Sequence, residues 1–120
     1  MPQKILVIDD EEDIVYMLKS TLEKNGFEVI TAADGEQALR LIKTDVPDLM
    51  ITDLTMPVMS GWHFSMKVRG DPRFKTTPII ILSALLDIAA ESEKSEAAIF
   101  YVPKPFDILK LMDKIKEILK

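Results

Sequence analysis

Five short, almost unbroken apolar runs, each followed by a longer stretch of helical periodicity, limit what this chain can become. The runs are Lys4-Ile5-Leu6-Val7-Ile8-Asp9, Phe27 to Thr31, Leu49-Met50-Ile51-Thr52, Ile79-Ile80-Ile81-Leu82 and Ile99-Phe100-Tyr101-Val102. A strand covered on one face alternates apolar with polar residues. Runs this continuous read instead as strands buried on both faces, as in a parallel sheet. Between them, Ile14, Met17, Leu18 and Leu22 keep helical spacing from Glu11 to about Asn25, and Gly26 is a stop signal. Asp34 to about Lys43 carries Ala38, Leu41 and Ile42 on one face. A loop with Pro57 and Gly61 leads into a helix over Trp62–Val68 that Asp71-Pro72 breaks. The stretch from Asp87 to Ala97 reads as a short helix. Asp107 to Leu119 is the clearest, with Ile108, Leu111, Met112, Ile115, Ile118 and Leu119 forming one stripe.

Strand–helix alternation of this kind predicts an α/β fold: a doubly wound, five-stranded parallel sheet with helices on both faces, flavodoxin-like in arrangement. The pattern does not fix the strand order. An eightfold barrel needs about twice the length, and 120 residues suit one domain spanning 1–120. The formal charge of −5 disfavours direct nucleic-acid binding or an anionic membrane surface. With no cysteine and a single histidine, His63, disulfide scaffolds, Cys/His zinc sites and cysteine nucleophiles are excluded. No signal peptide or membrane-length apolar run occurs, so the expected compartment is the cytoplasm.

In open parallel sheets ligands bind outside the carboxyl ends of the strands. Strand one delivers Asp9 and Asp10 there, strand three Asp53, strand four Ser83 and strand five Lys104. Three carboxylates together need a cation. An all-oxygen donor set suits a hard ion such as Mg2+, which binds through a few carboxylates and keeps several waters. A lysine and a hydroxyl beside that ion would stabilise a dianionic oxygen group, and phosphoryl transfer with a carboxylate nucleophile is the chemistry suggested. Gly26, Gly35, Gly61 and Gly70 stand too far apart for a glycine-rich phosphate loop, which argues against a nucleotide site.

Other residues have plainer readings. Glu11, Glu12 and Asp13 suit a helix N-terminus, where acids complement the dipole. Trp62 and His63 are given no role, and Met56 and Met59 read as loop packing around Pro57. Leu109 falls off the last helix's stripe and hints at a partner surface.

These residues resemble the receiver domain of two-component response regulators over essentially the whole chain. The matching segments are Ile5-Leu6-Val7-Ile8-Asp9-Asp10-Glu11, Ala33-Asp34-Gly35-Glu36, Asp53-Leu54-Thr55-Met56-Pro57-Val58-Met59-Ser60-Gly61, Ser83-Ala84 and Lys104-Pro105-Phe106. The resemblance implies that Asp53 accepts a phosphoryl group from a histidine kinase or histidine phosphotransfer protein. It implies Mg2+ bound by Asp10, Asp53 and the Thr55 backbone carbonyl, with Asp9 acting through water. Lys104 would pair with Asp53 and then with the phosphoryl oxygens, Ser83 would hydrogen-bond the phosphoryl group, and the Lys104-Pro105 peptide would be cis. Tyr101 would be the aromatic switch coupling Ser83 to the surface of the fourth helix, fifth strand and fifth helix, where a downstream protein or fused effector binds.

The chain departs from the family in places. Glu96-Ala97-Ala98 replaces the usual Gly-Ala pair, and the segment is about one residue short, so the fourth helix is expected to be short or shifted. Two prolines, Pro103 and Pro105, flank Lys104. Thr55 and Leu85 occupy positions that tune phosphoryl lifetime, and a leucine cannot activate water, which points to slow self-dephosphorylation. The implied protein is a signalling switch, not an enzyme acting on other substrates. The alternatives are a phosphorylation-independent module of the same fold or a Mg2+-dependent aspartyl phosphohydrolase. The latter would need an acid two residues after Asp53, where Thr55 stands.

Overall fold

A computed structural model describes residues 2–84 and 98–120. The described elements are β1 (Lys4–Ile8), α1 (Glu12–Lys24), β2 (Glu28–Ala32), α2 (Gly35–Leu41), β3 (Leu49–Asp53), α3 (Gly61–Arg69), a 3-10 turn (Pro72–Phe74), β4 (Ile79–Ser83), β5 (Ile99–Pro103) and a C-terminal helix (Ile108–Ile118). Each lies within a residue or two of its expected place. The helix expected over Asp87–Ala97, and Leu85 before it, lie outside the described residues.

All five strands are parallel, in the order β2-β1-β3-β4-β5. This is the flavodoxin-like order. It places β1 and β3 side by side at the centre, with Ile8 opposite Thr52. Every residue of β3 and β4 is buried, which is why those segments read as unbroken apolar runs.

Alternation along each strand divides the core in two. Leu6, Ile8, Met50, Ile79 and Ile81 pack with Ala38 of α2, Phe64 and Val68 of α3, and Phe74. Ile5, Val7, Leu49, Ile51, Ile80 and Leu82 pack on the other face with Leu18 and Leu22 of α1 and Leu111, Met112 and Ile115 of the C-terminal helix. Each fully buried aliphatic side chain contributes about 1.5–3 kcal/mol. Met17, expected on the α1 stripe, is 38% exposed and lies at the edge of the buried face.

Local signals explain the helix boundaries. Asn25 is the C-cap of α1, and Gly26 follows at φ 89°, with Phe27 N–H donating to Leu22 O and Gly26 N–H to Glu23 O. This closure demands a left-handed residue, and glycine adopts it without strain. Asp34 caps α2 by accepting from Gln37 N–H, while Gln37 Oε1 accepts from Ala33 N–H. Asp107 caps the C-terminal helix by accepting from Leu109 and Lys110 N–H.

Candidate functional site

The strand ends bring together the residues that the sequence aimed at one edge. Asp9 follows β1, Asp53 closes β3, Ser83 closes β4 and Lys104 follows β5. Carboxylate oxygens of Asp9, Asp10 and Asp53 lie within 4.8 Å of one another. Asp9 and Asp53 are buried at 3% and 7% exposure, whereas Asp10 faces solvent. Lys104 reaches in from the far side, with Nζ 3.1 Å from Asp53 Oδ1 and 3.9 Å from Asp9 Oδ2. Its backbone is anchored by donation from Lys104 N–H to Ser83 O at 2.7 Å, and Ser83 is itself buried. The Lys104-Pro105 peptide is cis, as expected.

One ammonium for three acids leaves the site short of positive charge. Asp9 Oδ1 accepts from Glu11 N–H at 2.9 Å, but its Oδ2 is buried without a hydrogen-bond partner. Burial pushes the Asp9 carboxyl up to about 6, and the nearby charge of Asp53 adds to this, against the opposing pull of the Glu11 N–H and Lys104. A buried oxygen with no donor, inside a cluster of hard carboxylate oxygens, fits a divalent cation such as Mg2+. Asp9, Asp10 and Asp53 can therefore hold a metal ion.

Lys104 is the only lysine or arginine paired with this cluster among the described residues. Lys104→Met is expected to cost the metal-free protein about 1–2 kcal/mol at pH 7, a value kept low because the side chain is partly solvated. Denaturant titration in a chelating buffer measures it, and an unchanged midpoint would show that the ammonium offsets nothing.

Two further residues shape the site, though sequence alone assigns neither a role in it. Gly61, the first residue of α3, lies against the strand that carries Asp53. A Cβ added there would come within 2.3 Å of Asp53 O. Thr52 is fully buried, and its hydroxyl donates to Asp53 O at 3.0 Å. The advance signal for Gly61 was a glycine at a helix start, eight positions after the acid and closing the matching segment that begins at Asp53. Trp62 and His63 stay on the exposed side of α3. Tyr101 is half-buried against the α2–α3 side of the sheet, in register with Ile81.

The family model described as the response regulator receiver domain matches residues 5–116. The chain belongs to that family. Among curated relatives, this receiver is 38% identical over 119 residues to the probable transcriptional regulator ycf27 of Guillardia theta, covering 98% of this chain and 46% of the relative. It is 35% identical to the alkaline phosphatase synthesis transcriptional regulatory protein PhoP of Bacillus subtilis, over 100% of this chain and 50% of the relative. The receiver thus spans about half the length of the curated relatives it matches. Among solved structures, the chemotaxis response regulator CheY4 of Vibrio cholerae superposes with a TM-score of 0.87 at 33% identity, covering 98% of this chain and 99% of that one. A putative response regulator from Chloroflexus aurantiacus gives 0.89 at 33% identity, with 99% and 98% covered. The receiver is therefore a signalling module of the phosphoryl-accepting class. Among its described residues, no helix is long and apolar enough to cross a membrane.

Proposed function

We propose that residues 1–120 act as one receiver unit in which Asp53 accepts a phosphoryl group from a phosphohistidine donor, a histidine kinase or a histidine phosphotransfer protein. The observation that carries this reading is the Lys104–Asp53 contact of 3.1 Å at the edge of a three-carboxylate cluster. The Asp53 carboxylate forms the new bond to phosphorus as the donor's phosphorus–nitrogen bond breaks, and the bonding pair leaves with the imidazole. Lys104 orients Asp53 beforehand and then pairs with the transferred oxygens, while the Ser83 hydroxyl donates to one of them. Asp10, Asp53 and the Thr55 carbonyl would hold Mg2+, with Asp9 acting through water. The ion, when bound, neutralises the carboxylates and the charge on the phosphoryl oxygens.

Output follows from position. Ser83 ends β4, and Tyr101 sits on β5 in register with Ile81, two residues before Ser83. A shift of Ser83 toward a phosphoryl group frees space into which the Tyr101 ring turns, biasing a two-state equilibrium. Strand β5 is an edge strand, and Leu109 on the C-terminal helix beside it is 71% exposed. This flank is the surface assigned to a downstream protein or effector domain. The relatives named as transcriptional regulators support an output role of this kind.

Intact mass after incubation with Mg2+ and acetyl phosphate tests the reading. The expected result is a gain of one phosphoryl group, absent in Asp53→Asn and absent without Mg2+. If neither acetyl phosphate nor a histidine kinase adds mass and Mg2+ does not bind, the chain is a phosphorylation-independent module.

A further inference from the structure

The loop between β3 and α3 is a closed ring with one strained corner. Gly61 N–H donates to Leu54 O at 2.8 Å, joining the two ends of residues 54–61, and Leu54 N–H is fixed to Leu82 O at 2.9 Å. Two methionines pin the interior. Met56 is buried with Sδ 3.8 Å from the Thr52 hydroxyl, and Met59 packs so closely on Gly35 that a Cβ there would lie 2.9 Å from its sulfur. The remaining slack is taken up at the tip, where Met59 N–H donates to Pro57 O at 2.7 Å across Val58. Val58 has φ 71°. A three-residue turn of this hand is rare and strained, and a β-branched side chain makes it an outlier.

Nothing in the packing of Val58 itself accounts for the strain, because its side chain is 71% exposed. The backbone conformation is imposed by ring closure around it. The same ring carries Thr55, whose carbonyl is assigned to the metal. When a strained conformer competes with a relaxed one, apparent affinity falls by the fraction that is competent.

We propose that Val58 is a positioning residue: through the strained Pro57–Met59 turn it sets how often the ring holds the Thr55 carbonyl over Asp53. This rests on the reading of Thr55 and Asp53 as metal ligands. Valine at this corner acts as a brake, keeping the site partly open until the cation clamps the ring. Residues that accept positive φ release the brake, whatever their side chain.

The test compares Val58→Gly, Val58→Asn and Val58→Thr with the parent chain, by Mg2+ titration calorimetry and by thermal unfolding with and without Mg2+. Glycine and asparagine are expected to raise the metal-free melting temperature and to tighten Mg2+ binding three- to tenfold. Threonine, β-branched like valine, is expected to match the parent in both. Asparagine controls for the added backbone freedom of glycine, and threonine for loss of the apolar branches. Higher melting temperatures with unchanged Mg2+ affinity would reduce the turn to a local strain and overturn the proposal, as would threonine behaving like glycine. An Asp53→Asn control separates the two readings. If the parent binds no Mg2+, or binds it equally well with Asp53→Asn, the metal-site reading itself fails and this inference fails with it.

Discussion

Gly61→Ala is expected to destabilise the protein by about 3 kcal/mol or more. The new methyl group would lie 2.3 Å from Asp53 O, 3.0 Å from Asp53 C and 3.1 Å from Thr52 Cγ2. Two of these neighbours are backbone atoms of a central strand, held through Leu54 N–H to Leu82 O, so β3 cannot yield. The helix must move instead, which pulls Phe64 and Val68, both almost completely buried, out of their contacts. A loss of this size lowers the melting temperature by roughly 10 °C in a domain of this length. It also loosens the donation from Gly61 N–H to Leu54 O, so Mg2+ affinity falls with stability. Gly26→Ala is the control. Nothing lies within 4 Å of a Cβ there, and only the positive φ is penalised, at about 1 kcal/mol. Equal losses at the two positions would show that α3 can rise off the strand without cost.

Asp9→Asn should do the opposite and stabilise the metal-free protein. The Asp9 carboxyl holds its proton more tightly in the folded chain, at about 6, than at the reference value of 3.8. Its contribution to stability is therefore fully present below 3.8 and is lost as the pH rises through about 6. Holding the proton that much more tightly corresponds to roughly 3 kcal/mol at neutral pH. Asparagine removes the charge and its repulsion with Asp53, while its side-chain oxygen can still accept from Glu11 N–H. Urea titrations in a chelating buffer should show the two proteins converging near pH 4 and separating to about 3 kcal/mol at pH 7. Saturating Mg2+ should narrow the gap, because only the parent gains the full benefit of the cation. A gap that is independent of pH would remove Asp9 as the source.

Both effects concern residues whose importance was unequally visible beforehand. Asp9, Asp53, Ser83 and Lys104 were legible because a buried parallel strand is recognised by its continuous apolar run, and its carboxyl end follows by counting. Leu49 to Thr52 fixes where Asp53 must point, whatever the neighbouring strand. The order of strands was not legible, since each connection is long enough for the chain to cross to either side of the sheet. Nor was the close approach of Gly61, which depends on how an eight-residue ring closes in space. Val58 gave no sign of its conformation: a β-branched residue favours extended backbone, and only the closure of the ring turns it to positive φ. The cap Asp34 falls within a segment that matches the family, but its partner Gln37 lies just outside it.

The division of the core by the sheet has a consequence for inheritance. Leu6 and Ile8 look toward α2 and α3, Ile5 and Val7 toward α1 and the C-terminal helix, so neither wall packs on the other. Amino-acid changes that reshape one wall for a new partner need no matching changes across the sheet. The acids at the strand tips hang from the shared backbone between the walls. Descendants of such a chain can diverge in what they touch while keeping, unaltered, the chemistry at the strand ends.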